Sequence, residues 1–399
     1  MTPKVKRAIF ILILSEFLVC LGISLVIPVM PFLRNELHLS AFDMGVMTSL
    51  FAFAQFIASP IIGRTSDKIG RKPILAVGLF LFMVSEFLFA ATNYLWLFDI
   101  SRIIGGLSAA MVAPTAMAFA ADITTKKQRA KVIGWLSAAF SGGLILGPGV
   151  GGLLAKFDYK APFWVSGVLG LISMIALLAL LPKDEEVDLT PSDVDQMQRD
   201  VSSMKGNWSD LVSKPVILLF AMILISSFGL QGFESIYSLF VNQVFHFSLD
   251  NIALVLTLNG LISLVFQVAL FDRLVVRFNE TRLIRYCFFL AFAGTIWIIF
   301  AHTKWEVIIA TLFAFTAFDL LRPAITTLLT KLSSKNQGLI NGLNMSLTSV
   351  GNVIGPLMSG ILLDMNTHYP YVVVAVFLGI SYLMTFMIRI QSKTNLNVD

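Results

Sequence analysis

Apolar runs near 20 residues in length recur along the whole chain, parted by short polar breaks. Wound as a helix rising about 1.5 Å per residue, each run crosses a hydrocarbon layer about 30 Å thick. Twelve such runs are recognisable, over residues 8–30, 42–62, 73–91, 95–121, 130–155, 162–181, 215–241, 251–271, 283–301, 305–330, 338–363 and 371–390. They predict an all-α membrane protein with twelve transmembrane helices. Most breaks are only a few residues long, so successive helices are expected to pack as antiparallel neighbours. The first run carries Glu16 and passes into Pro28 and Pro31 without a small-residue cleavage site, so it reads as a span and not as a removable leader.

One break differs from the rest. Residues 183–214 are polar, with eight acidic against four basic residues, and they separate six runs from six. This predicts a cytoplasmic linker between two six-helix bundles, 1–182 and 215–399. The bundles echo one another, as internal repeats in secondary transporters do. Asp99-Ile-Ser-Arg102 in the fourth run corresponds to Asp319-Leu-Leu-Arg322 in the tenth, and the glycines of 143–152 in the fifth run to Gly351, Gly355, Pro356 and Gly360 in the eleventh.

Composition agrees with a lipid solvent. Hydrophobic residues make up 57% and charged ones 13% of 399 positions, outside the range of a water-soluble domain. Lys and Arg are strongly biased between alternate loops, with 23 on the side of the termini against 4 on the other, so both termini are expected in the cytoplasm. The net charge of +5 follows from this bias and calls for no nucleic-acid partner. Cys20 and Cys287 lie in separate apolar runs, and the four histidines fall near predicted external ends without metal-ligand spacing. No phosphate-binding Gly-x-x-x-x-Gly-Lys-(Ser/Thr) element and no cluster of nucleophile, base or metal ligands is present. Neither enzyme activity, a metal nor a cofactor is therefore expected.

The informative positions are charges inside the runs. An ionised side chain at bilayer depth costs several kcal/mol, so such residues mark pathways for ions, protons or substrate by default. Glu234 and Asp319 are the deepest acids. Gln231, Glu234 and Tyr237 share one helical stripe, as do Asn341, Asn344, Thr348 and Asn352. Phe51 stands one turn before Gln55, and Phe315 one turn before Asp319, pairing an aromatic with a polar group on one face. Phe dominates the aromatics, at 34 against 13 Trp and Tyr together, and such walls suit apolar cations. The bland alternative for Asp319 is mutual neutralisation with Arg322 at i, i+3. Arg102 needs a carboxylate or backbone partner, for which Glu16 is a candidate. Glu86, nearer the outer end of the third run, is placed to snorkel to water as a structural acid.

These motifs resemble the major facilitator superfamily, and the resemblance covers essentially the whole chain. Gly63, Asp67, Lys68, Gly70, Arg71 and Lys72 match its loop pattern Gly-x-x-x-Asp-(Arg/Lys)-x-Gly-(Arg/Lys)-(Arg/Lys), with Thr65 where Leu is usual. Gly143, Gly147, Pro148, Gly151 and Gly152 are similar to the signature of its antiporter branch. Phrases such as Phe233-Glu-Ser-Ile-Tyr-Ser-Leu239 and Phe318-Asp-Leu-Leu-Arg-Pro-Ala-Ile-Thr326 resemble the NorA/Bmr-type multidrug exporters of Gram-positive bacteria.

The resemblance implies a proton-coupled drug antiporter of the bacterial cytoplasmic membrane, working as a monomer by alternating access and exporting hydrophobic, often cationic compounds such as fluoroquinolones and ethidium-like dyes. The alternative is a narrow-specificity drug or metabolite transporter of the same fold. It further implies proton coupling at Glu234 and Asp319, with Arg102 taking part, and cavity positions for Phe51, Gln55, Phe140, Ser141, Tyr237, Phe315, Arg322 and Asn352. Gly63, Asp67, Gly70 and Arg71 would form a gating element. Glu16 departs from the pattern, since NorA carries an apolar residue at the corresponding position, which leaves room for a third titrating site or a cation-attracting charge.

Overall fold

The computed structural model describes residues 3–180, 214–332 and 337–388, which form helices and short connections only. The span helices are α1 (Pro3–Leu25), α2 (Ala41–Ile69), α3 (Arg71–Ala91), α4 (Leu95–Asp122), α5 (Lys126–Ala155), α6 (Ala161–Leu180), α7 (Lys214–Phe245), α8 (Leu249–Val265), α9 (Glu280–Ile299), α10 (Lys304–Leu332), α11 (Gln337–Met365) and α12 (Tyr369–Thr385). α1 is continued by a 3-10 turn at Ile27–Val29 and a short helix at Met30–Leu37, where Pro28 and Pro31 interrupt the regular hydrogen bonding. α8 is continued by a π-helical turn at Phe266–Leu270 and a short helix at Phe271–Phe278. Among the described residues eleven helical segments are long and apolar enough to cross a membrane, and α12 is a shorter apolar helix. The expected linker at 183–214 lies, but for Lys214, outside the described residues.

Local sequence sets the ends of these helices. Ser40 starts α2 with a capping box: its hydroxyl accepts from the Asp43 amide at 3.0 Å, and the Asp43 carboxylate accepts from the Ser40 amide at 2.9 Å. Gly70, with φ at 105°, turns the chain between α2 and α3 through a conformation that a side chain disfavours.

Packing repeats with a period of six helices. α1 lies on α5 and α6, α2 on α4, and α3 on α4 and α6; in the second set α7 lies on α11 and α12, α8 on α10, and α9 on α10 and α12. Across the sets, the main pairs are α2 with α11 and α5 with α8. The named contacts in those pairs gather at the end of the bundle away from the chain termini. A Cβ at Gly45 would stand 2.4 Å from the Pro356 carbonyl oxygen, and one at Gly360 2.6 Å from that of Ala41. The Ser49 hydroxyl donates to the Val353 carbonyl at 2.6 Å. Lys156 pairs with Asp250 at 2.7 Å. Toward the terminus end the same helices leave Ile57, Ile61, Trp135 and Met345 exposed. The named contacts between the two sets thus lie at that one end.

Asp364 fastens the joined end. From the last turn of α11 its carboxylate accepts from the amides of Ala41 at 2.9 Å and Phe42 at 2.8 Å, the free donors opening α2, and pairs with Arg34 at 3.4 Å. An anion at a helix N-terminus satisfies unpaired amides and the helix dipole together. Replacing Asp364 by Ala removes a charge-assisted contact of about 1.5–3 kcal/mol. Spin labels flanking Ala41 and Gly360 are therefore expected to report a longer distance population in the variant that the parent lacks; an unchanged distribution would show that the contact does not hold the end shut.

Candidate transport site

Glu234 projects from the middle of α7 and Asp319 from the middle of α10, and both are half-buried. The Gln231 amide, one turn earlier on α7, donates to the Glu234 carboxylate at 3.1 Å. The two acids lie within coulombic reach of one another. α10, which carries Asp319, packs against both α7 and α8. No ion pair joins Asp319 to Arg322 among the described residues, so neutralisation at i, i+3 does not occur in this conformation. Arg322 is exposed instead, one turn further along α10.

The other sites implied by the resemblance divide into two groups. Phe51, Gln55, Ser141 and Asn352 are half-buried, and Phe140 is 39% exposed. Gly106 of α4 seats Phe51, its Cα lying so near that an added Cβ would be 2.3 Å from the Phe51 carbonyl oxygen. Tyr237 and Phe315 are closed in. Their rings lie 5.8 Å apart within an aromatic cluster that includes Phe233, Phe318, Phe240 and Tyr371. They belong to the core of the second helix set here, a difference from the open wall the resemblance implies, at 0% and 3% exposed.

Two expectations about the first helix set are corrected. Arg102 pairs not with Glu16 but with Glu86, at 3.5 Å, and its guanidinium lies 4.5 Å from the centre of the Phe89 ring. Glu86 is only 2% exposed and does not reach water. Beside the pair, the Ser85 hydroxyl donates to the Ser101 carbonyl at 2.8 Å and the Ser101 hydroxyl to that of Ser85 at 2.9 Å, which fixes the register of α3 against α4. Once that register is set, a cation at 102 and an anion at 86 face each other, and leaving the span would break both. Glu16 is 1% exposed, and its contact is the Cys20 thiol one turn later, at 3.9 Å.

The antiporter-like glycines have two faces. Gly143, Gly147 and Gly151, four residues apart, lie against α1: an added Cβ would be 2.6 Å from the Phe17 carbonyl oxygen, 1.8 Å from the Ser24 hydroxyl and 2.2 Å from the Leu25 carbonyl oxygen, respectively. Gly152 meets Ala253 of α8 instead. Pro148 sits among them inside α5. In the gating element Arg71 binds Asp67 at 2.5 Å and Asp122 of α4 at 3.0 Å, tying the loop to its own helix set. Gly70 supplies the turn, whereas Gly63 has no atom near the place of a side chain.

Sequence reasoning passed over α8. Asn259, Ser263 and Gln267 recur every four residues, a polar stripe in an apolar helix that ends in the π turn. The spacing was visible; none of the three carries a charge, and an uncharged stripe draws less notice than an acid.

Twelve apolar helices in two equivalent sets, joined at one end, with acids and an arginine at mid-span, define a membrane transporter. The chain belongs to the Major Facilitator Superfamily, whose family model matches residues 12–318 and 236–397. It is 40% identical over 382 residues to Multidrug resistance protein 1 of Bacillus subtilis (strain 168), covering 96% of each chain. It is 35% identical over 391 residues to the Quinolone resistance protein NorA of Staphylococcus aureus (strain COL), covering 98% of each. Among solved structures, a bacterial homologue of the human lysosomal transporter Spinster, in an inward-facing and occupied conformation, superposes with a TM-score of 0.81 at 16% identity over 97% of both chains.

Proposed function

We propose that this protein is a proton-coupled multidrug exporter of the bacterial cytoplasmic membrane. The observation that carries the reading is the pair Glu234 and Asp319: two half-buried acids on neighbouring helices at mid-span. The names of the curated relatives, which concern multidrug and quinolone resistance, support drugs as cargo. The excess of basic residues beside the termini supports a cytoplasmic location for that end. That end would then admit a hydrophobic cation from the cytoplasm or inner leaflet. Ionised, the acids attract it; protonated from outside after the halves rock over, they release it. Proton and drug thus bind antagonistically, and by linkage each weakens the other equally. Phe51, Gln55, Phe140, Ser141, Arg322 and Asn352 would form the wall, and the buried Arg102 pair would hold the first helix set in shape. Protons serve as the coupling ion, with no other cofactor, and one chain suffices.

A second reading, a carrier for one drug or metabolite, keeps the same fold and coupling. Competition decides between them: in proteoliposomes carrying a pH gradient, ethidium uptake is expected to be inhibited by chemically unrelated hydrophobic cations and by a fluoroquinolone. Inhibition by a single compound class alone would favour the narrow carrier.

A further inference from the structure

We propose that the short helix Phe271–Phe278 and the start of α9 form a binding site for an anionic phospholipid headgroup, held by Arg273, Arg277 and Arg282. The short helix has two faces. Phe271, Leu274, Val275 and Phe278 recur at i, i+3, i+4 and i+7, and all four are half-buried. The first three pack against the apolar core, so this face anchors the helix to the bundle. The opposite face carries Arg273 and Arg277, one turn apart and both exposed.

The third arginine comes from α9. The Phe278 and Tyr286 rings meet edge to face with centroids 5.4 Å apart, which brings α9 alongside the short helix. Arg282 is exposed one turn before Tyr286, on the same face of α9. Among the described residues none of the three guanidinium groups forms an ion pair or a hydrogen bond, although Arg277 lies 6.0 Å from the centre of the Phe278 ring. Asp272, the acid of the short helix, is exposed and pairs with none of them. Their basic neighbours, by contrast, are engaged: Lys331 binds Glu280, and Arg285 donates to the Thr385 hydroxyl at 3.3 Å.

The depth of these arginines fits a lipid. α8 starts at the joined end, where Asp250 binds Lys156, so its continuation reaches the opposite end of the span, where hydrocarbon gives way to headgroups. Val276, next to Arg277, is 84% exposed, and Val268, in the π turn before the short helix, is 76% exposed. Apolar side chains left so open beside free guanidinium groups match a ligand with both an acyl chain and a charge. Two arginines one turn apart repel each other. A phosphate between them relieves the repulsion, and the planar fork of arginine fits phosphate oxygens with paired hydrogen bonds. A zwitterionic headgroup brings its own ammonium, which the same arginines repel. The ligand class is therefore a phospholipid of net negative charge, such as phosphatidylglycerol.

The site requires the membrane setting of the fold and not proton coupling. Native mass spectrometry of the full chain in detergent, titrated with phosphatidylglycerol, with phosphatidylcholine of the same acyl chains or with inorganic phosphate, gives an apparent affinity for each. The parent is expected to hold phosphatidylglycerol in preference to the other two. Arg277→Gln is expected to weaken that binding about fivefold, and Arg273→Gln with Arg277→Gln and Arg282→Gln about a hundredfold. All three side chains are exposed, so unfolding midpoints are expected to stay near the parent. Removing as many exposed charges from the first helix set, in Arg64→Gln with Lys68→Gln and Lys131→Gln, is expected to keep the parent's affinity. Equal affinity for the two lipids, inorganic phosphate bound as tightly as phosphatidylglycerol, or equal losses in the two triple variants overturns the proposal. So does unchanged phosphatidylglycerol binding in Arg277→Gln.

Discussion

Glu86→Ala is expected to cost this protein about 3–5 kcal/mol of stability, the loss that follows when one partner of a buried ion pair is removed and its charge is stranded. Arg102 is 7% exposed, and among the described residues its ion-pair partner is Glu86, with the face of Phe89 also against it. A guanidinium cannot shed its proton to escape, so the helix pair must open or admit water. Thermal unfolding in detergent, followed through tryptophan fluorescence, is expected to show a large drop in midpoint for Glu86→Ala. Removal of both charges in Glu86→Gln with Arg102→Gln is expected to recover most of it, because no charge is then stranded. A single variant as stable as the parent would show that the pair does not compensate Arg102.

The second large effect belongs to the fifth helix. Gly151→Val would drive a branched side chain into the Leu25 carbonyl oxygen, which stands 2.2 Å from where even a Cβ would go. Backbone cannot rotate aside as a side chain can, so α1 and α5 must separate. Overpacking of this kind costs about 1–3 kcal/mol or more, although valine is itself a better helix former than glycine. Gly63→Ala provides the contrast, since nothing lies within 4 Å of that position. Unfolding midpoints are expected to fall sharply for Gly151→Val and to stay near the parent for Gly63→Ala. Equal midpoints would contradict the close crossing of α1 and α5.

What the sequence made legible follows from the strength of each physical signal. A span of 20 apolar residues leaves few alternatives in lipid, because backbone groups must be satisfied within the segment, so the helices and their order could be read directly. Glu234, Asp319 and Arg102 stood out for the same reason: charge in an apolar run is rare. Partnership was harder. The pairing of Arg102 with Glu86 depends on the register of α3 against α4, which the reciprocal Ser85 and Ser101 contacts set and no linear spacing reveals. The enclosure of Tyr237 and Phe315 likewise depends on rings from several helices. The α8 stripe of Asn259, Ser263 and Gln267 was readable as a period of four, yet the packing of its helix against α10, which carries Asp319, was not. The joining of the two sets at one end arises from contacts between distant segments, such as Asp364 with Ala41, that periodicity does not encode.

The central claim is that Glu234 and Asp319 couple proton entry to cargo release. The most direct measurement is ethidium flux in proteoliposomes under an imposed pH gradient for the parent, Glu234→Gln and Asp319→Asn, with folding checked by thermal unfolding. The account predicts gradient-driven flux in the parent and its collapse to the level of protein-free vesicles in each folded variant; undiminished driven flux in both variants would contradict it.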